Sequence, residues 1–116
     1  MLFEVDSTSA IPLYAQIAAA VRRAIAEQRV KQGVRLPPTR DLAQELSVNV
    51  HTVQRAYGLL RDEGLVHLRQ GRGAVVAGGD VQPRAQLHGL AQQLLAEART
   101  QGLTLGDVTA LLEGMR

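Results

Sequence analysis

One stretch restricts the possible folds of this chain more than any other: residues 36–73, LPPTRDLAQELSVNVHTVQRAYGLLRDEGLVHLRQGRG. It opens on Pro37-Pro38, which no helix can run through. Thr39 then offers a hydroxyl to cap free backbone N–H groups, and Leu42, Ala43 and Leu46 follow at helical spacing. That pattern predicts a short helix from Thr39 to about Ser47. Asn49, another good cap residue, starts a second helix reaching Glu63, with Val53, Ala56, Tyr57 and Leu60 as its inward stripe. Gly64 stands where a left-handed residue ends such a helix. Two short β-patterns, Leu65–Leu68 and Ala74–Ala77, flank the turn Gln70-Gly71-Arg72-Gly73 and predict a hairpin with a basic tip. Two helices joined by a tight turn and followed at once by a hairpin make a winged helix-turn-helix.

Upstream, Tyr14, Ile17, Val21 and Ile25 share one face of a helix expected from about Pro12 to Arg29, with Gln16, Arg22, Arg23 and Gln28 on its other faces. Residues 2–5, LFEV, suit a short strand or an extended arm. Downstream, residues 78–83 read as a linker. A helix over about 84–101 carries Leu87, Leu90, Ala91, Leu94, Leu95 and Ala98 on one stripe. Thr104 with Asp107 resembles a capping arrangement for a last helix bearing Leu105, Val108, Leu111, Leu112 and Met115. The expected fold class is therefore mostly α with a small β-wing. A winged helix-turn-helix domain (residues 1–79) is followed by a two-helix hairpin (residues 80–116). Such a hairpin is too small to bury its own apolar stripe. It packs either on the first domain or, as preferred here, on the same hairpin of a second subunit. Leu87, Leu90, Leu94, Leu95, Leu105, Val108, Leu111 and Leu112 are the expected dimerisation residues.

Composition excludes several classes. Without cysteine there is no disulfide and no thiolate metal site. No apolar run approaches the ~18 residues of a membrane span, and MLFEVDSTSA is not a secretory leader, so a cytoplasmic location is expected. His51, His67 and His88 lack metal-ligand spacing, no Ser-His-Asp grouping can be drawn, and QGRGAVVAGG lacks the strand-to-helix setting of a nucleotide loop. No enzymatic activity, metal or cofactor is expected. The net charge is only +2, yet it is unevenly spread. Residues 1–79 hold ten Lys and Arg against seven Asp and Glu, a net +3, while residues 80–116 hold three against four, a net −1. The basic excess lies with the winged-helix pattern, as a nucleic-acid partner requires.

The stretch LPPTRDLAQELSVNVHTVQRAYGLLRDEGLVHLRQGRG resembles the winged-helix signature of the GntR family of bacterial transcription regulators. The family's marks are Leu36-Pro37-Pro38-Thr39-Arg40, Thr52-Val53, Glu63-Gly64-Leu65 and Arg69-Gln70-Gly71-Arg72-Gly73. Most members add a large ligand-sensing domain; here only a helical hairpin follows. Ile11-Pro12-Leu13-Tyr14-Ala15-Gln16-Ile17 and Asn49-x-x-Thr52-Val53-x-Arg55-Ala56-Tyr57 are similar to the YtrA subfamily, whose short two-helix region dimerises. The chain departs from many members at Val50 and Gln54, where they carry arginine. The resemblance implies a homodimeric repressor that binds double-stranded DNA at an inverted repeat.

With the apolar stripe inward, the second helix of the motif turns Val50, His51, Gln54, Arg55, Gly58 and Arg61 outward. Gln54 suits adenine N6/N7, Arg55 guanine or a phosphate, Val50 a thymine methyl and His51 a phosphate or base. Asn49 and Thr52 suit capping and the phosphate backbone. Arg40 matches the family's contacting arginine, and Arg69 and Arg72 flank the wing tip, from which an arginine can enter a minor groove. The alternatives are a winged-helix interaction scaffold, in which these arginines scatter, and a sensor binding an unidentified small-molecule effector between the hairpins of a dimer.

Overall fold

The computed structural model describes residues 3–69 and 73–116. Helix α1 (Leu13–Ala26) begins behind Pro12, an extended N-cap rather than a member of the first turn. It ends three residues before the expected Arg29, because Gln28 adopts a left-handed φ of 61° and the Arg29 and Val30 N–H groups fold back onto the Ala24 carbonyl. Residues 3–6 form no strand.

Helix α2 (Thr39–Leu46) corrects the role given to Thr39: the N-cap is Pro38, and no side chain caps this end. The Pro38 ring fixes φ, here −55°, and with ψ at 151° the chain enters the helix without a hydroxyl cap. Ser47, left-handed at φ 56°, turns the chain, and the Val48 N–H returns to the Ala43 carbonyl at 2.9 Å. Helix α3 (Val50–Asp62) follows, with the Asn49 side chain accepting from the His51 N–H at 2.8 Å. Gly64, at φ 78°, closes α3 as expected. Its N–H reaches the Arg61 carbonyl, and the Leu65 N–H reaches Leu60.

Strands β1 (Val66–Arg69) and β2 (Gly73–Val76) pair antiparallel, Val66 opposite Val76 and Leu68 opposite Ala74. The chain ahead of α2 lends a third rung that the sequence did not suggest. The Leu36 N–H donates to the Ala74 carbonyl at 2.8 Å, and the Val76 N–H donates to Val34 at 2.9 Å. This lacing ties the wing to the entry of α2.

Helix α4 (Val81–Thr100) starts three residues earlier than expected, taking in Pro83, whose missing N–H costs nothing in a first turn. Helix α5 (Leu105–Glu113) opens on the expected capping box: Thr104 Oγ1 accepts from the Asp107 N–H, and the Asp107 carboxylate accepts from the Thr104 N–H. Hydrogen bonding to Thr104, first from its backbone N–H and then from its side chain, holds the Asp107 carboxyl below its usual range.

The core is aliphatic around a single tyrosine. Ile17, Val21 and Ile25 of α1 meet Leu42 of α2, Val53, Ala56, Tyr57 and Leu60 of α3, and Leu65, Val66, Ala74 and Val76 of the wing. Val81 and Ala85 of α4 join the same cluster. The start of α4 therefore packs on α1, and Gln82 Nε2 donates to the Ala26 carbonyl at 2.9 Å. Part of the leucine stripe of α4 stays open to solvent: Leu87 is 67% exposed and Leu90 56%. Leu105, Leu111 and Leu112 of α5 are also exposed, Leu94 and Leu95 are half-buried, and Val108 is buried. Val108, 4% exposed, is the one member of the expected dimerisation set that its own chain buries. Among the described residues no helix is long and apolar enough to cross a membrane.

Candidate nucleic-acid interface

Lacing the wing to the start of α2, and packing both on α3, leaves an open cleft of about 470 Å³ between the three elements. Arg40 and Asp41 line it from the first turn of α2, Gln54 and Tyr57 from α3, and Leu68, Arg69 and Gly73 from the wing. Three residues expected to meet DNA, Arg40, Gln54 and Arg69, are brought from distant parts of the sequence to one concave surface, and all three are exposed. Pro38 and Thr39 complete the wall. Gly73 is left-handed at φ 74°, and a β-carbon there would sit 3.6 Å from Pro38 Cα. The residue suits both the turn and the close approach of the wing to α2.

Tyr57 anchors the cleft. Its hydroxyl donates to the Pro37 carbonyl at 2.7 Å, fixing the approach to α2 against α3. Burial, and secondarily the charge of Glu45, push its ionisation far above the ordinary phenol range, so it is a permanent donor at neutral pH.

Along α3 the outward residues differ in freedom. His51 Nδ1 lies 3.0 Å from Gln54 Oε1, a contact that needs the proton on Nδ1. The Gln54 amide is thereby oriented, and its NH₂ is left to donate elsewhere. Asn49 is engaged as the helix cap. Thr52 is half-buried. Val50 departs from expectation: instead of pointing away from the core it is half-buried and packs against it, since the first turn of α3 lies close to the core. Arg55 is exposed but does not line the cleft; its guanidinium carbon sits 3.8 Å from the centroid of the Tyr14 ring. Arg61 pairs with its neighbour Asp62. Arg72, with Gln70 and Gly71 of the wing tip, lies outside the described residues.

Two partnerships escaped the sequence reading. Arg22, assigned to an outer face of α1, is buried, and it forms a double hydrogen bond with Glu63. Arg84 Nη1 donates to the Gly64 carbonyl at 3.1 Å, tying α4 to the end of α3. A hint was present in Glu63 itself, an acid beside the helix-ending glycine, but its partner stands 41 residues away.

The gntR family of bacterial regulatory proteins matches residues 13–76. The HTH-type transcriptional repressor YtrA of Bacillus subtilis (strain 168) is 32% identical over 76 residues, covering 66% of this chain and 58% of that protein. The chain thus spans little more than half of that relative. The HTH-type transcriptional regulator Rv1152 of Mycobacterium tuberculosis is 32% identical over 108 residues, covering 93% of this chain and 88% of its own length. Among solved structures, YtrA from Sulfolobus acidocaldarius, a GntR-family transcription factor, superposes with a TM-score of 0.63 at 29% identity, over 97% of this chain and 95% of that one. The AraR DNA-binding domain in complex with operator ORX1 gives a TM-score of 0.56 at 28% identity, over 66% and 93% of the two chains.

Proposed function

The chain belongs to the GntR family of bacterial regulatory proteins and has the winged helix-turn-helix of a DNA-binding transcription regulator, and on that premise we propose that it is a cytoplasmic, homodimeric repressor that binds an inverted-repeat operator. The observation that carries this reading is the convergence of Arg40, Gln54 and Arg69 on one cleft between α2, α3 and the wing. A scaffold has no need to gather two guanidiniums and an oriented amide on one surface.

In this reading α3 enters the major groove. Gln54, steadied by His51, pairs with adenine N6 and N7, and Arg55 reaches guanine or a phosphate. Arg40 and Arg69 hold the phosphate backbone on either side, Thr52 supports the backbone contact, and Arg72 extends it from the wing. Asn49 acts through the start of the helix, whose free N–H groups favour a phosphate. Val50 contributes the edge of its side chain to a thymine methyl. The AraR domain, similar in fold, is described in complex with operator DNA, which supports this docking. The Bacillus relative is named a repressor, which supports repression by occupying a promoter.

Residues 1–79 supply the DNA-binding part and residues 80–116 the dimer contact in the same reading. Helix α5 buries only Val108, while Leu105, Leu111 and Leu112 stay exposed, as do Leu87 and Leu90 of α4. So many large apolar side chains on one short hairpin suit a matching hairpin on a second copy. Selection of bound duplexes from a random library, at near-physiological salt, tests the proposal. An enriched inverted repeat is expected; enrichment of single half-sites would refute the dimer, and no enrichment would refute the regulator.

A further inference from the structure

The run Ile11–Ile17 has no part in the cleft, yet the structure gives most of its residues a task. Pro12 sets the start of α1, and Ile17 is buried in the core. Gln16 clasps the preceding chain: its Nε2 donates to the Asp6 and Ile11 carbonyls at 2.8 Å each, and its Oε1 accepts from the Asp6 N–H at 2.7 Å. Tyr14, in the first turn of α1, is half-buried against the core. Its ring is therefore seated by packing beneath it. Against that ring lies the Arg55 guanidinium, 3.8 Å from the centroid, brought from the middle of α3.

We infer that Tyr14 is a positioning residue for DNA recognition, a fixed platform that holds the Arg55 guanidinium ready for the duplex. A guanidinium stacked by its face keeps its N–H groups free in the plane, where phosphate and guanine O6/N7 accept them. None of the described hydrogen bonds or ion pairs uses the Arg55 side chain, so its donors are uncommitted. A free arginine must give up rotamer freedom on binding; one already stacked has given up part of it, which lowers the cost of association. Tyr14 thus contributes to affinity without touching DNA. This inference rests on reading Arg55 as a DNA contact.

The test is a thermodynamic cycle on a duplex bound by the wild type, read by fluorescence anisotropy. Arg55→Ala is expected to weaken binding about tenfold. Tyr14→Phe keeps the ring and stays within about twofold of wild type, while Tyr14→Leu loses roughly two- to fivefold, the range of an exposed cation–π contact. Added to Arg55→Ala, Tyr14→Leu costs nothing more. An equal loss from Tyr14→Leu in both backgrounds, or a loss from Tyr14→Phe, overturns the inference by showing a structural role or a direct hydroxyl contact. No effect of Arg55→Ala overturns it differently, removing Arg55 from the interface while the cleft residues keep their own test. The stack itself is read in the DNA-free protein by NMR, which does not depend on the Leu variant folding. The Arg55 δ-methylene protons are expected shifted upfield by the Tyr14 ring in wild type and in Tyr14→Phe. Unshifted protons contradict the platform.

Discussion

Arg22 and Glu63 meet side by side, Nε to Oε1 at 2.9 Å and Nη2 to Oε2 at 2.7 Å, with both side chains more than nine-tenths buried. Glu63 is the C-cap of α3, so the pair fixes the far end of the proposed recognition helix to α1. His88 of α4 stands 4.0 Å from the same carboxylate, and Arg84 of α4 holds the next carbonyl. The end of α3 is thus the point where α1 and the C-terminal hairpin meet the DNA-binding motif.

Removing one member leaves a buried charge without its partner. Arg22→Met is expected to lower stability by about 3–5 kcal/mol, and the double variant Arg22→Met/Glu63→Leu to recover most of that loss. Urea denaturation of the three proteins measures both. A cost below about 1 kcal/mol for the single variant would mean that water reaches Glu63.

Tyr57→Phe removes the hydrogen bond to the Pro37 carbonyl and is expected to cost about 1 kcal/mol. The phenol also has a pH signature. Its ionisation is raised in the folded chain, chiefly by burial, so its contribution is complete below the ordinary value of 10.0 and is lost as pH rises through the folded value. Between those limits the unfolded chain sheds a proton that the folded chain keeps. Stability should therefore fall above pH 10 more steeply in wild type than in Tyr57→Phe. Parallel falls would contradict a buried phenol.

Arg40→Ala and Arg69→Ala should each weaken binding to all duplexes alike and reduce the slope of log affinity against log salt by about one. Gln54→Ala should leave that slope unchanged, cost about 1–3 kcal/mol and relax selection at one base position. A salt series on each variant separates the two behaviours. A Gln54 variant that keeps full sequence preference would move base reading elsewhere on α3.

Leu90, 56% exposed on α4, gives a cleaner probe of the dimer than half-buried Leu94. Leu90→Asp should keep its helix content and run as a monomer in light scattering. An unchanged dimer mass would remove this face from the interface.

Much of this was legible from residue pattern. The helix-turn-helix shows in two apolar stripes, the Asn49 cap and Gly64, because local periodicity and capping act within a few residues. The gathering of Arg40, Gln54 and Arg69 follows from that motif. Contacts made across the fold left no such trace. Arg22 sits among apolar neighbours on α1, and nothing near it names Glu63. Thr39 looked like a cap because Pro38 does that work through its backbone alone. Val50 looked free because periodicity gives a direction on the helix and not the depth of the first turn. The stack of Arg55 on Tyr14 joins two motifs that sequence could only place side by side in a family pattern.

The start of α2, the outer side of α3 and the wing carry the DNA contacts in this account, and amide chemical-shift mapping reads that surface directly. On titration with a duplex from the random-library selection, the largest changes are expected at residues 39–41, 49–55 and 67–73, with α4 and α5 little affected. Changes centred on α4 and α5, or spread evenly over the chain, would contradict it.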